Sequence, residues 1–463
     1  MAGNKNVQMT SGVIWKQLLV FFFPILFGTF FQQMYNTADA LIVGRYLGKV
    51  ALSAVGGSNG SITDIFVYLF NGLASGAGVI VAQLYGGKKD KMTSKAVHTS
   101  ITFSILFGAV LSAIFLVLAR RILILMDTPT EVIPDSVVYL RIYLCGMVPN
   151  MIYNMGSAIL RSVGDSRKPL YFLIITCFTN IGLDLLFVIV FHLGVAGVGT
   201  ATFISQILSA ALVLISLKRS NECYRFELKQ LGFNIPVLRS ILYMGLPAGL
   251  QSCMYTFSNV LLQFSINRLG TDTIAAYTAF NKIVNIFWMM SGAYGMAITT
   301  FVGQNYGAGQ FMRVRKSIYD CFIMMTVSTI ALSALLYFVS PGVFYIFTTD
   351  TDVLGIGNSI MKFIVPFFIT YVGVEIFAGS LRGMGDSIKP LIITILGVCV
   401  LRVGWLITVV PKHLEIHWIL ASFPITWIVT SIAFSFYYWW YMKKHKKYFR
   451  SLSSDSKNTA GEA

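Results

Sequence analysis

The segment Leu160-Arg-Ser-Val-Gly-Asp-Ser-Arg-Lys-Pro169 returns as Leu381-Arg-Gly-Met-Gly-Asp-Ser-Ile-Lys-Pro390, 221 residues later. Val81-Ala-Gln-Leu-Tyr-Gly86 returns at the same spacing as Val302-Gly-Gln-Asn-Tyr-Gly307, and Leu47-Gly48 and Pro24 recur as Leu269-Gly270 and Pro247. The chain is a tandem duplication of about half its 463 residues. Both copies are rich in apolar runs, such as 19–31, 101–119 and 322–339, that approach or reach the ~20 residues needed to cross a bilayer. Duplicated polytopic halves are the build of secondary transporters, whose substrates lie between repeats near the midplane.

Apolar residues make up 56% of the chain and charged residues 12%, about half the usual share. The expected fold is an all-α integral membrane protein of twelve transmembrane helices in two parallel six-helix lobes. The helices are expected near 17–44, 53–84, 97–119, 133–161, 169–191, 195–217, 237–268, 274–304, 317–340, 354–382, 389–411 and 416–442. Six spans per repeat is an even number, so the halves enter from the same side. The domains follow: 1–217 as the first lobe, 218–236 as a polar cytoplasmic linker, 237–445 as the second lobe and 446–463 as a polar tail. The polar N-terminus and long first apolar stretch argue against a cleavable signal peptide.

The net charge of +16 is distributed as in a membrane protein, not a nucleic-acid binder. Of 35 Lys and Arg, with Arg161, Arg239 and Arg382 near helix ends counted to the adjoining loops, 25 fall in the set of loops that holds both termini, six in the opposite loops and four within helices. That bias places both termini in the cytoplasm, with the protein multi-pass in a bacterial inner membrane. Lys443-Lys-His-Lys-Lys447 suits a patch on anionic lipid. The six cysteines form no C-x-x-C pair and read as small core residues; the five histidines show no metal-ligand spacing. No nucleotide-binding P-loop is present, so an ion gradient is the expected power source, without a cofactor.

Four acids fall well within predicted spans: Asp39, Asp64, Asp184 and Glu375. An ionised Asp at a helix centre costs about 2.5–3.5 kcal/mol on insertion scales, which marks such residues as functional. Asp39 shares a stripe with Gln32 and Asn36, and Asp184 shares a face with Thr176 and Asn180. The fourth helix adds Asn150, Asn154, Ser157 and Arg161 at spacings of three or four. Interhelical hydrogen bonding explains the neutral members of these stripes equally well. In the second repeat the seventh helix carries Gln251, Tyr255, Asn259 and Gln263, and the eighth Thr278, Asn281, Lys282 and Asn285. Glu375 falls where the first repeat has Asn154, with Lys282 or Arg402 as candidate counter-ions. Met34, Met151, Met155, Met254, Met289, Met290 and Met296 suggest an adaptable lining for a promiscuous cleft, and Tyr35, Tyr255 and Trp288 suggest stacking on substrate.

Gln33-Met-Tyr-Asn-Thr-Ala-Asp39, Ile159-Leu-Arg-Ser-Val-Gly-Asp165, Asn180-Ile-Gly-Leu-Asp184 and Leu381-Arg-Gly-Met-Gly-Asp386 carry a specific resemblance. Over roughly residues 12–445 the chain resembles a prokaryotic multidrug and toxic compound extrusion (MATE) transporter of the DinF-like branch. The resemblance implies efflux of organic, largely cationic compounds driven by inward Na⁺ or H⁺, by a monomer. It maps a cation site onto Asp39, Asn180, Asp184 and Thr202, with Tyr139, Asn154 and Ser157 beside it. Ser157 stands where relatives often have Asn. Two carboxylates with neutral oxygens suit Na⁺, and two close carboxylates can also share a proton. A flippase for lipid-linked precursors has the same architecture but should carry more arginines in its cavity. A major facilitator lacks support between helices two and three, and an enzyme would need clustered His or carboxylates near one membrane face.

Overall fold

The computed structural model describes residues 9–445, all helix and connecting loop among those described. Residues 446–463, which hold the last two lysines of the basic patch and the polar tail, lie outside the described residues. Twelve helical rods follow one another: α1 Ile14–Tyr46, α2 Gly48–Gly86, α3 Asp90–Leu125, α4 as Ile133–Cys145 with Met147–Ser162, α5 Arg167–Val190 and α6 Gly194–Lys218. The second repeat supplies α7 Ile235–Asn267, α8 Thr271–Gly307, α9 Phe311–Phe344, α10 Thr351–Gly383, α11 Ile388–Lys412 and α12 Ile416–Lys444. Ten of them are long and apolar enough to cross a membrane; α4, interrupted at Gly146, and α7 complete the dozen. Several rods run past their expected ends, as α3 and α9 do at both termini. α2 is interrupted at Gly57.

The repeated Gly-Asp-Ser motif explains itself locally. Gly164 and Gly385 adopt φ of 93° and 96°, a left-handed conformation that ends the preceding helix at no steric cost. The next side chain then starts the following helix: Asp165 accepts from the Lys168 amide at 3.1 Å, and Asp386 from the Lys389 amide at 3.3 Å. One sequence signal thus makes the same tight turn in each repeat.

The chain forms two compact units, and their limits fall inside helices, not in the linker. Among described residues the first unit comprises 23–249 and the second 9–22 with 250–445. Both changes of unit lie within three residues of a proline held inside a continuous helix, Pro24 in α1 and Pro247 in α7. A proline removes one intrahelical hydrogen bond and marks a natural bend.

In the first unit the leading part of α7 packs on α2 through four glycines. A Cβ at Gly72 or Gly76 would collide with the backbone of Gly249 or Gly245. Two small-xxx-small motifs therefore meet face to face, the usual device for close helix approach in lipid. Met151 and Met155 are fully packed in this unit's core, so they do not line a cleft; Met290 is likewise buried in the second unit, whereas Met296 is exposed. The linker is pinned to α3: His98 Nε2 accepts from the Glu227 amide at 3.0 Å, Thr102 from Gly232 and Thr99 from Asn234, both at 3.1 Å. In the second unit Asn305 and Arg313 both donate to the Met9 carbonyl, at 3.0 Å each, anchoring the start of the described chain.

Candidate functional site

In the first unit α1, α4, α5 and α6 supply six oxygen-bearing side chains to one region: Tyr35, Asp39, Tyr139, Asn180, Asp184 and Thr202. Tyr35 and Asp39 lie one turn apart on α1, and Asn180 and Asp184 one turn apart on α5, so each pair shares a face. The Asp39 and Asp184 carboxylates lie within hydrogen-bonding reach of one another, which two carboxylates can use only by holding a proton or cation. Tyr35 and Tyr139 both interact with these carboxylates. Thr202 donates to the Val198 carbonyl at 3.0 Å, which leaves its oxygen to accept from the Tyr35 hydroxyl within reach. Asp184 and Asn180 are fully buried, and Asp39 is 7% exposed.

This cluster has more acceptors than donors. Both Asp184 oxygens, one Asp39 oxygen and both amide atoms of Asn180 are buried without a hydrogen-bond partner. Buried polar groups in that condition are rare and costly. Two close carboxylates can share a small cation or a proton. An apolar cluster of Ile42, Val43, Tyr139, Tyr143, Val188 and Val198 closes the end of the site towards the loops after residues 46 and 190. Directly after Asp184 the helix is π-wound over Leu186–Val190, an irregularity found mostly at functional positions.

The remaining N-terminal candidates are placed elsewhere on the unit. Gln32 and Asn36 are exposed, and Asn36 bonds Gln33 at 3.4 Å. Asn154 bonds Asn150 at 2.7 Å on its own helix, and the buried Ser157 interacts with Tyr153. Asp64 is exposed, facing Tyr143. Tyr35, taken from sequence as a stacking residue, stands instead at the carboxylates; its i, i+4 relation to Asp39 was the available signal.

The second unit has a different polar centre. Glu375 is 18% exposed, receives the Tyr371 hydroxyl at 3.3 Å and pairs with Arg382 at 3.9 Å. This corrects the expected counter-ion: Lys282 is exposed, and Arg402 points to Asn259. Arg382 lies seven residues after Glu375, two turns along the same face of α10. Gly295 leaves the space that the Glu375 carboxylate occupies. Tyr255 interacts with Glu375 and Tyr371, Gln251 bonds Thr394 at 3.3 Å, and the exposed Asn281 bonds Tyr277. Trp288, Tyr371 and Trp427 form a mutually edge-on triad with centroids 5.1, 5.7 and 6.0 Å apart. Sequence reasoning singled out only Trp288 of these three.

A family model described as MatE matches residues 24–186 and 247–406, once on each repeat. The chain is 27% identical over 444 residues to "Probable multidrug resistance protein YoeA" of Bacillus subtilis, covering 93% of this chain and 95% of that protein. It is 26% identical to "Probable multidrug resistance protein NorM" of Thermotoga maritima, covering 84% of each. A solved structure, the outward-facing conformation of a multidrug resistance MATE family transporter of the MOP superfamily, aligns with a TM-score of 0.88. Its identity is 21%, over 98% of this chain and all of that one, a likeness that speaks to fold alone.

Proposed function

The chain belongs to the MatE family of multidrug efflux transporters, and from that premise we propose that it expels organic, largely cationic amphipathic compounds in exchange for inward Na⁺ or H⁺. It is a membrane transporter and not an enzyme. The observation that carries the ion coupling is the contact between the buried Asp39 and Asp184, with Asn180 one turn before Asp184 on α5 and Thr202 bonded to Tyr35 of the same cluster. A proton or monovalent cation shared by the pair neutralises one of two charges that burial otherwise penalises. Asp39 stands on α1, the helix that carries Pro24 and changes unit at residue 23. Occupancy of the pair therefore acts on a helix shared by both units, a direct route to alternating access. Substrate cations take Glu375 and the nearby aromatic triad as their binding groups. The protein works as a monomer in the bacterial inner membrane, both termini cytoplasmic, as the basic-residue bias supports.

The test is efflux of ethidium from proteoliposomes under a Na⁺ gradient alone and under a pH gradient alone. One gradient should drive efflux in the wild type and fail in Asp184→Asn. Efflux indifferent to both gradients removes the antiport reading.

A further inference from the structure

Arg402 is among the largest fully buried side chains of the second unit, at 2% exposure, and among the described residues no ion pair joins it to a carboxylate. Its Nη1 donates to Asn259 Oδ1 at 3.1 Å, its guanidinium lies 4.4 Å from the Phe423 ring centroid, and its buried Nε has no partner. Its other electrostatic neighbours are the neutral groups of Tyr255, Tyr277, Cys399 and Tyr371. A guanidinium held inside a membrane protein is costly unless an anion answers it. The one strong acceptor present is a neutral amide on an exposed side chain, since Asn259 lies at the surface of the unit. An incoming carboxylate can replace that amide oxygen, adding opposite charge and the two-pronged geometry that suits a guanidinium.

The repeat sharpens the point. The π-wound stretch of α5 begins two residues after Asp184, and that of α11, Ile395–Val400, ends two residues before Arg402. Equivalent helices thus carry one deeply buried charge each beside a π segment, negative in the first repeat and positive in the second. Tyr255 interacts with both Glu375 and Arg402, so an acid and a base flank one phenol.

We propose that Arg402 is an anion-recognition residue, and that this transporter prefers amphoteric aromatic compounds whose carboxylate it binds, above purely cationic ones. The inference rests on the transport reading for its substrate class, but its test is a binding measurement that needs no ion gradient. The probes are rhodamine B, which carries a free carboxylate, and rhodamine B ethyl ester, which differs only in masking it. Fluorescence anisotropy with purified protein in nanodiscs should give about tenfold tighter binding of the acid. Arg402→Gln should bring the ratio of the two affinities close to one. Asn259→Asp places a permanent carboxylate on the guanidinium and should also collapse the ratio, with monodisperse protein yield retained. Equal affinities in the wild type, no binding of either dye, or a ratio that survives Arg402→Gln or Asn259→Asp overturns the proposal. Coupled efflux is read separately in liposomes, so a failure of ion coupling leaves the affinity ratio standing and is recognised as such.

Discussion

The backbone of Gly72 in α2 lies directly against the backbone of Gly249 in α7, so close that a methyl group at Gly72 would overlap the Gly249 main chain. Side chains at such a contact cannot rotate away, because both partners are main chain. Overpacking in a well-filled core costs about 1–3 kcal/mol, and this contact belongs at the upper end. Gly72→Leu and Gly76→Leu should each sharply reduce the monodisperse fraction after solubilisation and lower the melting temperature. Gly292→Leu, where an added Cβ meets nothing within 4 Å, should do neither.

Asp39→Asn and Asp184→Asn each remove charge with little change of volume. Each should reduce gradient-driven dye efflux at least tenfold while leaving expression and size-exclusion behaviour intact. Thr202→Ala and Asn180→Ala remove neutral oxygens, so they should raise the coupling-ion concentration needed for half-maximal efflux several-fold without abolishing transport. Normal coupling in either aspartate variant would strike that residue from the site.

The architecture was readable from the duplication and the hydrophobic runs. Asp39 and Asp184 were readable because a carboxylate inside a span is expensive enough to need a reason. Helical spacing, however, states which residues share a face and is silent on which face becomes covered. That is why Gln32 and Asn36 appeared with Asp39 in sequence yet lie exposed, while Tyr35 faces the carboxylates. Glu375 shows the same limit in another form. Its partner was sought on other helices at Lys282 or Arg402, and the structure supplies Arg382 from its own helix. The change of unit at residues 23 and 250 has no local signature beyond Pro24 and Pro247 nearby, since it depends on packing across hundreds of residues.

The Glu375–Arg382 pair, both side chains 18% exposed, sets an internal cation in competition with a substrate cation. Glu375→Gln should weaken binding of ethidium several-fold, and Arg382→Gln should strengthen it by freeing the carboxylate. Parallel loss in both variants, measured by the same titration, would assign the pair a purely structural role.

Cys223 lies in the linker, where burial pushes its thiol up to about 12 and the nearby Asp90 carboxylate adds to the effect. The thiolate is the reactive form, so it is scarce at neutral pH and grows only as pH climbs towards that value. In a variant that keeps Cys223 as its sole cysteine, maleimide labelling at pH 7.5 should be at least tenfold slower than at an exposed control cysteine in place of Lys229. Rapid labelling at pH 7.5 would mean that the linker does not shelter the thiol.

The two units trade their leading segments: residues 9–22, from the first repeat, complete the second unit, and residues 235–249, from the second repeat, complete the first. This reciprocal loan has the logic of domain swapping, performed within one polypeptide. During synthesis the first unit cannot close until the ribosome has passed residue 249, well into the second copy. The second unit in turn waits for a segment made at the very beginning. Each unit is thus completed by a segment encoded in the other copy of the repeat.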